Sequence, residues 1–393
     1  MKNSSSPLCV FAEQKLDTRR KNAQKVVVAM SGGVDSSVAA ALLKRAGFNV
    51  VGVFMKFWAP PGKDGLIGFS NQCCSPDAEI RARRVAKILK IPFYVFNFEK
   101  EFKKRIVDYF LNGYKKGITP NPCVVCNKEI KFGLFLEKAL AFDADYVATG
   151  HYARLKDSYI RKKFVFRSLL KAKDKEKDQS YFLWTLNQKQ LKKILFPIGD
   201  YTRAEVEKMA QKFKLPVLKA RKSVEICFIQ TTIEDFLSRY FKPKAGQIAN
   251  RKGEVLGEHQ GLWYYTIGQR RGIKLPGGPY YVLDKDLKKN TLIVTKNEKD
   301  LPPDQKFGSG GLYKKELRAK NINWISGKIP KLPIIVKAKI RYRHKAATAV
   351  ITKTSRSKVY SLKFKVSQRA ITPGQSVVFY RGQELLGGGI INK

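Results

Sequence analysis

The sequence is poor in cysteine, which accounts for only six of its 393 residues. So few thiols cannot form the dense disulfide framework that stabilises small secreted proteins. The chain is instead long enough to bury hydrophobic cores of its own, and we expect two or three domains. The scarcity of cysteine therefore excludes a disulfide-stabilised scaffold and predicts a protein of the reducing cytoplasm.

Long apolar runs are also missing. No stretch reaches the roughly 18 to 20 apolar residues of a membrane-spanning helix, so we expect no membrane partner. The N-terminus, MKNSSSPLCVFAEQKLDTRRKNAQ, lacks the apolar core of a signal peptide, and Glu13 and Asp17 argue against a transit peptide. We interpret residues 1–24 as a flexible extension.

Acidic residues are few, with 32 Asp and Glu against 77 Lys and Arg, and the formal net charge is +45. Such an imbalance predicts a polyanionic partner, with nucleic acid as the first candidate. Lysine is spread over almost every segment, so a general basic bias or attraction to a membrane surface is the alternative.

Short apolar strands alternate with helical patterns in the first half of the chain, as in KVVVAM, SSVAAALLKRAGF, NVVGVFMKF and PDAEIRARRVAKILK. This alternation indicates βαβ units and a mainly parallel sheet. Residues 180–215 have helical periodicity, with Thr202 and Glu205 at the spacing of a capping box. The last hundred residues contain short β-branched runs such as PIIVKAKIRYR and SKVYSLKFKV, which predict a small antiparallel barrel.

The stretch VVVAMSGGVDSS, residues 26–37, has the composition of a phosphate-binding loop. A strand, a glycine-rich turn and a helix in succession place backbone N–H groups at a helix N-terminus, where they favour an anion. The loop matches neither GxxxxGK[ST] nor GxGxxG, and it contains no lysine. Asp35 instead puts a carboxylate beside the phosphates, which suits a Mg²⁺ ion. An ordinary strand-to-helix turn is the alternative, and the run of small and polar residues disfavours it.

Two segments that contain cysteine lie far from this loop: ITPNPCVVCNKEIKFG, residues 118–133, and SVEICFIQ, residues 223–230. A thiolate is a strong nucleophile and can carry sulfur as a persulfide, so Cys126 and Cys227 are candidates for sulfur chemistry. A cysteine in an apolar context such as EICFI is, however, more often an inert core residue.

The SGGVDSS loop resembles the PP-loop of the ATP pyrophosphatase superfamily, which cleaves ATP between its α and β phosphates to adenylate a substrate oxygen. Other segments resemble motifs of the tRNA-specific 2-thiouridylase family in the family's order: TPNPxxxCNxxIKFG, ATGHYAR, KDQSYFL, FPIGDYTRAEV, ICFI, YTIGQRRG, IRYRH and PGQSVVFY. The motifs extend over roughly residues 25–390. The resemblance implies an α/β fold, in which a Rossmann-like parallel sheet of the adenine nucleotide alpha hydrolase type precedes a small central domain and a C-terminal antiparallel β-barrel.

This resemblance divides the chain into three domains after the extension. Residues 25–193 with 217–232 would form the ATP-binding catalytic domain, and residues 194–216 with 233–299 the central tRNA-binding domain. Residues 300–393 would form the barrel.

The resemblance also implies a tRNA-uridine 2-sulfurtransferase. ATP would adenylate the C2 oxygen of the wobble uridine in the tRNA anticodon, and a cysteine persulfide, loaded by a sulfur-carrier protein, would deliver sulfur with release of AMP and pyrophosphate. Cys126 would be the nucleophile and Cys227 the persulfide carrier, and the two would form a transient disulfide. The residues that contact ATP would be Ala29, Met30, Ser31, Gly32, Gly33, Val34, Asp35, Ser36, Met55 and Gly150. Those that contact the target uracil would be Asn121, Pro122 and Cys123. Those that contact tRNA would be His151, Lys177, Asp178, Gln179, Arg341, Tyr342 and Gln375.

Two positions depart from the family's usual pattern. Cys123 stands where many members carry Asp, which creates a Cys123-x-x-Cys126 pair. Together with Cys227, this pair supplies three thiolates, enough for a [4Fe–4S] cluster with one open iron. The preferred interpretation is that Cys123 only packs beside the uracil. Arg81 replaces a usual Asp, and Cys73 and Cys74 are interpreted as structural.

Overall fold

The computed structural model describes residues 24–60, 74–160, 163–218, 226–297, 311–353 and 359–392. The predicted N-terminal extension, except for its last residue, lies outside the described residues, and so does Cys73. Among the described helices, none has both the length and the apolar character needed to cross a membrane.

A parallel sheet lies at the centre of the first part of the chain. Its strands are β1 (Lys25–Ala29), β2 (Asn49–Lys56), β3 (Phe93–Asn97), β4 (Tyr146–Ala148) and, after the β5–β6 hairpin described below, β7 (Ile194–Leu195). Their order in the sheet is β3-β2-β1-β4-β7. The valines of β1 are buried, as expected for a central strand covered on both faces. The predicted Rossmann-like sheet is confirmed.

Helices α1 (Val34–Arg45) and α2 (Pro76–Leu89) follow β1 and β2 along the chain. One longer helical region comprises α3 (Glu99–Phe102), a π-helical stretch (Lys103–Val107) and α4 (Asp108–Lys115). A second comprises α5 (Pro122–Cys126), a π-helical stretch (Asn127–Leu134) and α6 (Phe135–Ala141). Both regions bury aromatic rings, such as Phe110 and Phe132, in the core that also contains the sheet.

The helical periodicity of residues 180–215 is confirmed only in part. This segment contains a 3₁₀ turn (Ser180–Leu183), α7 (Gln188–Leu191), β7 and α8 (Arg203–Lys212). The predicted capping box is present, since the backbone N–H of Thr202 donates to the Glu205 carboxylate over 2.6 Å and that of Glu205 to Thr202 Oγ1 over 3.3 Å. Pairing with β4 overrides the helical pattern at β7. Residues 194–216, assigned from the sequence to the central domain, thus begin inside the parallel sheet.

The central domain consists of α9 (Ile233–Ser238), β8 (Gly246–Ala249), β9 (Val255–His259), β10 (Tyr281–Asp286) and β11 (Thr291–Thr295). The strands lie in the order β10-β11-β8-β9. They bury a separate small core in which Ile248, Val282 and Val294 are fully enclosed.

The C-terminal strands are β12 (Tyr313–Trp324), β13 (Ile334–Lys339), β14 (Ala347–Lys353), β15 (Tyr360–Arg369), β16 (Ser376–Arg381) and β17 (Glu384–Asn392). They pair antiparallel in the order β12-β15-β14-β13-β16-β17, and β17 pairs back with β12. The predicted antiparallel barrel is therefore confirmed, and it is closed.

A hairpin from the first part of the chain extends this barrel sheet. Strands β5 (Ala153–Ile160) and β6 (Lys163–Lys171) form the hairpin, and β6 pairs with β17 through Leu170 opposite Glu384. No sequence pattern predicted this connection. The run PIIVKAKIRYR predicted a strand that includes Arg341 and Tyr342, which is wrong, because β13 ends at Lys339 and both residues lie in the turn that follows.

Candidate active site

The phosphate loop connects β1 to α1. The backbone N–H of Met30 donates to the Val53 carbonyl over 2.8 Å and holds the start of the loop against β2. Gly32 has a φ of +71°, and a Cβ at this position would lie 2.1 Å from the carbonyl oxygen of Ala78 in α2. Arg81 donates from Nε to the Gly32 carbonyl over 3.2 Å. Only glycine fits this close approach of α2 to the loop.

Serine side chains fix the shape of the loop. Ser36 Oγ accepts a hydrogen bond from the Ser31 N–H over 3.1 Å, and Ser37 Oγ donates to the Gly33 carbonyl over 2.8 Å. Gly33 provides no side-chain cap for α1. The first turn of α1 therefore has backbone donors to offer a phosphate group.

The Asp35 carboxylate is the centre of an ion-pair network. Its Oδ1 accepts hydrogen bonds from Arg203 of α8 over 2.6 Å and from the Tyr152 hydroxyl over 2.8 Å. Arg203 Nε also donates to Glu207 over 2.7 Å. Burial, followed by the nearby negative charge of Asp35, raises the pKa of Tyr152, so this hydroxyl stays protonated and remains a donor. The network links the phosphate loop to α8.

Gly150 follows β4 and lies directly against the start of α1. A Cβ on Gly150 would lie 2.6 Å from the backbone nitrogen of Ser36 and 2.7 Å from the carbonyl carbon of Asp35. Met55, at the C-terminal end of β2, is half-buried beside Phe96 of β3. The predicted ATP-contacting segments thus meet at the carboxyl edge of the parallel sheet, which is where open α/β sheets bind ligands.

His151 is buried, with 7% of its surface exposed, and its Nδ1 lies 2.7 Å from Thr149 Oγ1. Burial, and to a lesser degree the charge of Lys131, holds the pKa of His151 well below its usual value. The imidazole is therefore neutral near pH 7, and the structure gives it no charge with which to hold a phosphate.

The two cysteine-containing segments pack against the same helical region. Cys126 ends α5 and is buried, with 8% of its surface exposed, whereas Cys227 is half-buried. Helix α5 contacts the π-helical stretch Lys103–Val107. The ring of Phe228, next to Cys227, lies 5.9 Å from that of Phe102 and 5.4 Å from that of Phe110. Cys126 and Cys227, which are 101 residues apart in sequence, thus lie in neighbouring parts of one core.

The predicted uracil-contacting residues form the start of α5. Asn121 caps this helix, since its Oδ1 accepts a hydrogen bond from the Val124 N–H over 3.3 Å, and Pro122 is the first helical residue. Cys123 is half-buried, so part of its surface is accessible. The cap determines how α5 begins, and with it the orientation of the helix that ends at Cys126.

Of the predicted contacts in the KDQ segment, only Lys177 is exposed. The buried Asp178 carboxylate accepts hydrogen bonds from the backbone of Ala172 and Ser180, each over 3.1 Å. Gln179 Oε1 accepts from the Tyr152 N–H over 2.9 Å. Asp178 therefore supports the backbone at Ala172 and Ser180, and Gln179 supports the backbone at Tyr152.

The predicted tRNA contacts of the barrel also have internal partners. Arg341 donates from one terminal nitrogen to the Ile267 carbonyl over 3.0 Å, to the Ala370 carbonyl over 3.1 Å and to Thr372 Oγ1. Tyr342 is half-buried, and its ring lies 4.5 Å from that of Phe182. Arg341 thus joins the central domain to the barrel.

No three His, Cys, Asp or Glu side chains within the described ranges group closely enough to hold a metal ion. Cys123, Cys126 and Cys227 are all described, so their arrangement does not fit an iron–sulfur cluster. For Mg²⁺ the loop offers the single carboxylate of Asp35, and one carboxylate suffices where substrate phosphates and water complete the ligand shell.

Three residues of this region were not predicted from the sequence. Tyr152 and Arg203 were not connected with Asp35, although Tyr152 stands within ATGHYAR and Arg203 within DYTRAEV. Arg81 was treated only as a departure from a family pattern, but it binds the loop. A motif position was the only signal available, since no local pattern specifies partners more than 45 residues away.

Three family models match the chain in sequence. They are the tRNA methyl transferase HUP domain over residues 24–231, the tRNA methyl transferase PRC-barrel domain over 234–296 and the aminomethyltransferase beta-barrel domain over 314–391.

Curated relatives match along nearly the whole chain. The tRNA-specific 2-thiouridylase MnmA of Shouchella clausii is 42% identical over 95% of this chain and 98% of its own length. The tRNA-specific 2-thiouridylase MnmA 2 of Clostridium tetani is 45% identical over 94% of this chain and 98% of its own length. A solved U34-tRNA thiolase NcsA from Methanococcus maripaludis, with its [4Fe–4S] cluster, is 17% identical with a TM-score of 0.36, and covers 59% of this chain and 68% of its own. On the first two matches, the chain belongs to the tRNA-specific 2-thiouridylase family.

Proposed function

We propose that this chain is an ATP-dependent tRNA-uridine 2-sulfurtransferase that converts the wobble uridine of the anticodon to 2-thiouridine. The observation that carries the proposal is the 42–45% identity, along 94–95% of the chain, to relatives named tRNA-specific 2-thiouridylases. The phosphate loop supports it because its first-turn amides can hold an anion, and family membership implies that the anion is ATP. A tRNA substrate and the low cysteine content support a cytoplasmic location.

The test of this function is direct. Purified protein, unmodified tRNA, ATP and a persulfide donor should give 2-thiouridine at the wobble position, detected by mass spectrometry of the digested tRNA, together with one AMP and one pyrophosphate per modified base. Conversion of ATP to ADP and phosphate in place of AMP and pyrophosphate would contradict the proposed chemistry.

ATP would lie along the carboxyl edge of the sheet and contact residues 29–36, Met55 and Gly150. Its phosphates would accept hydrogen bonds from the start of α1, and Asp35 would be the carboxylate that holds Mg²⁺. The 2-oxygen of uridine attacks the α-phosphorus, and pyrophosphate leaves. Activation is required because a carbonyl oxygen is a poor leaving group, whereas AMP is a good one.

Sulfur transfer would then use the two cysteines. The terminal sulfur of a persulfide on Cys227 attacks C2, and AMP leaves with the electrons of the broken C–O bond. The Cys126 thiolate next attacks Sγ of Cys227, which breaks the persulfide S–S bond, releases 2-thiouridine and leaves a Cys126–Cys227 disulfide. In the alternative order, Cys126 attacks Cys227 first and the sulfide that leaves attacks C2. External thiols reduce the disulfide in both cases, and a sulfur-carrier protein reloads Cys227.

The central domain has a surface feature suited to tRNA. An open cavity of about 420 Å³ is lined by Arg270, Lys274 and Tyr280, together with residues of the 272–279 loop. Lys296 Nζ lies 5.3 Å from the centre of the Tyr280 ring. Cations with an accessible aromatic ring can hold a phosphate and stack a base. Lys177 and Tyr342 remain further candidates for tRNA contacts because both are at least partly accessible.

Charge reversal in this cavity should weaken tRNA binding. We expect Arg270→Glu with Lys274→Glu to raise the tRNA dissociation constant about tenfold or more near 0.1 M salt and to flatten its salt dependence, because phosphate contacts are lost. Filter binding at several salt concentrations measures both quantities. The matched control is Arg251→Glu with Lys252→Glu, which makes the same charge change in the β8–β9 turn of the same domain. An equal loss of affinity in both variants would mean that only net charge matters, and would contradict a specific role for the cavity.

The Arg203–Asp35 ion pair predicts a magnesium-dependent effect on ATP binding. Arg203→Met leaves the Asp35 carboxylate beside the phosphates without its neighbouring cation, so ATP is repelled. At low Mg²⁺ concentration we expect the ATP dissociation constant to rise about tenfold, which is a modest effect because the pair is partly exposed to solvent. High Mg²⁺ should restore most of the affinity, because the metal ion then supplies the missing positive charge.

Isothermal titration with ATP at two Mg²⁺ concentrations measures this effect without turnover. Lys208→Met removes a cation from an exposed position of the same helix and should leave ATP affinity unchanged at both concentrations. The ion pair has no role in ATP binding if Arg203→Met binds ATP like the unmodified protein at low Mg²⁺.

A further inference from the structure

Asn127 is the residue directly after Cys126, and the π-helical stretch that follows α5 begins there. Its backbone has a φ of −61° and a ψ of −44°, so the chain is still helical at this point. Residues three and four positions apart in a helix lie on the same face. Cys126 and Asn127 therefore both lie one turn after Cys123, the last of the three residues expected to contact the target uracil.

The Asn127 side chain joins this helix to a second segment of the site. Its Nδ2 donates to the Phe182 carbonyl over 3.2 Å, across 55 residues of sequence. A carbonyl can only accept, so this bond also determines which end of the amide is the nitrogen. Phe182 belongs to the 3₁₀ turn directly after Gln179, and its ring lies 4.5 Å from that of Tyr342. Asn127 thus links the helix expected to contact the uracil with segments expected to contact tRNA.

The other end of the same amide is left unsatisfied. Asn127 is 3% exposed, and its buried Oδ1 has no hydrogen-bond partner among the described residues. A buried acceptor without a donor is unfavourable, because it has lost its hydrogen bonds to water and gained none in return. Nearly all buried polar groups in folded proteins are paired, so this oxygen is an exception. It can accept a hydrogen bond from a ligand that brings its own donor.

Uracil has one hydrogen-bond donor on its ring, the N3–H group between the two carbonyls. N3 is bonded directly to C2, the atom at which the proposed sulfur transfer takes place. A base that presents C2 to Cys126 therefore presents N3–H close beside it, where the next residue of the helix is Asn127. Enzymes that act on a flipped base read it through hydrogen bonds to this same edge.

We propose that Asn127 is a specificity-determining residue for uridine, whose Oδ1 accepts a hydrogen bond from N3–H of the target base. The uracil would enter between α5 and the 3₁₀ turn, the two elements that Asn127 joins. Cytosine has an acceptor at N3 in place of the donor, so two acceptors would face each other and this base would be disfavoured. The inference rests on the proposed function, because that function identifies uridine as the target.

Binding of tRNA that carries either uridine or 3-methyluridine at the wobble position tests this inference. The methyl group removes the N3–H donor, occupies its place and leaves both carbonyls of the base intact. In filter binding without ATP or a sulfur donor, the unmodified protein should bind the methylated tRNA at least about tenfold more weakly. Asn127→Ala removes the acceptor and leaves room for the methyl group, so it should bind the two tRNAs within about threefold of each other.

The ratio of the two dissociation constants separates base recognition from a structural role. Loss of the Asn127–Phe182 hydrogen bond weakens the binding of both tRNAs alike and cancels in the ratio. Thr185→Val is the matched control, because Thr185 Oγ1 is also buried without a partner among the residues described and valine keeps its shape. This variant should keep the full preference for uridine.

Equal binding of the two tRNAs by the unmodified protein would overturn the inference, and this measurement needs no variant to fold. The inference also fails if Asn127→Ala keeps the preference for uridine, which is the result expected if Oδ1 only binds a water molecule. Neither measurement requires turnover. A preference that depends on Asn127 in a protein that makes no 2-thiouridine would contradict the proposed function and leave the recognition of the base standing, whereas normal thiolation with an unchanged preference would do the reverse.

Discussion

Cys227→Ser is expected to reduce 2-thiouridine formation by about a thousandfold or more, because a serine hydroxyl cannot carry the sulfur that is transferred. ATP and tRNA affinity should be unchanged, since the substitution replaces one atom in a half-buried side chain that lies outside the phosphate loop. Mass spectrometry of tRNA from cells in which the variant is the sole enzyme measures the product. Full wobble thiolation in that strain would disprove the persulfide assignment.

Cys126→Ser should separate the two orders of sulfur transfer. If the Cys227 persulfide attacks C2 first, this variant stops with the nucleotide covalently attached to Cys227, and a protein–tRNA adduct should accumulate. If Cys126 must first release sulfide, no adduct forms, and added sulfide should restore activity. Both results agree with a role for Cys126, and full activity without added sulfide would contradict it.

Cys123→Ser is the matched cysteine variant. A cluster held by three thiolates would be lost with Cys123, whereas a cysteine that only packs beside the uracil should tolerate serine with less than about a tenfold loss of activity. Iron analysis of protein purified without oxygen gives an independent answer. Iron-free protein that is fully active with sulfide and ATP would rule out a cluster.

Gly150→Ala is expected to weaken ATP binding about a hundredfold. The added Cβ would lie 2.6 Å from the Ser36 nitrogen and 2.7 Å from the Asp35 carbonyl carbon, so the backbone at the start of α1 must move. Moving the backbone N–H groups that bind the phosphates by about 1 Å lowers the ATP affinity strongly, because each hydrogen bond depends on the direction of its donor. Both nearby atoms belong to the backbone, so no side chain can rotate away to relieve the clash.

Titration with ATP, together with a melting curve, measures the effect of Gly150→Ala. Gly278→Ala is the control, because a Cβ at this position meets its nearest heavy atom at 3.4 Å and the backbone conformation is one that alanine adopts. The control should bind ATP normally. Normal ATP affinity in Gly150→Ala would mean that the phosphates bind elsewhere.

Local patterns predicted the parts of this molecule that local interactions determine. The phosphate loop follows from one strand, two glycines and one helix, and the Thr202 capping box involves residues three apart. The β-branched runs of the last hundred residues likewise indicated the barrel. In each of these cases, the stabilising partners are close in sequence or the pattern repeats.

Predictions failed where distant partners decide the structure. Ile194 and Leu195 have a helical pattern but pair with β4, which completes the edge of the sheet. Three hydrogen bonds hold the Asp178 carboxylate inside the protein, and the highly charged sequence around it gives no sign of this burial. Arg203, the ionic partner of Asp35, lies 168 residues later in the sequence. Nothing in the local sequence specifies that distance.

The pairing of β6 with β17 has a consequence for the synthesis of this protein on the ribosome. Ser168 of the hairpin binds Glu384 across 216 residues of sequence. At about 5 to 20 residues per second, translation would expose the hairpin roughly 10 to 40 seconds before its partner strand emerges. The edge of the hairpin stays unpaired during that time, and the barrel sheet is complete only when β17 has left the ribosome.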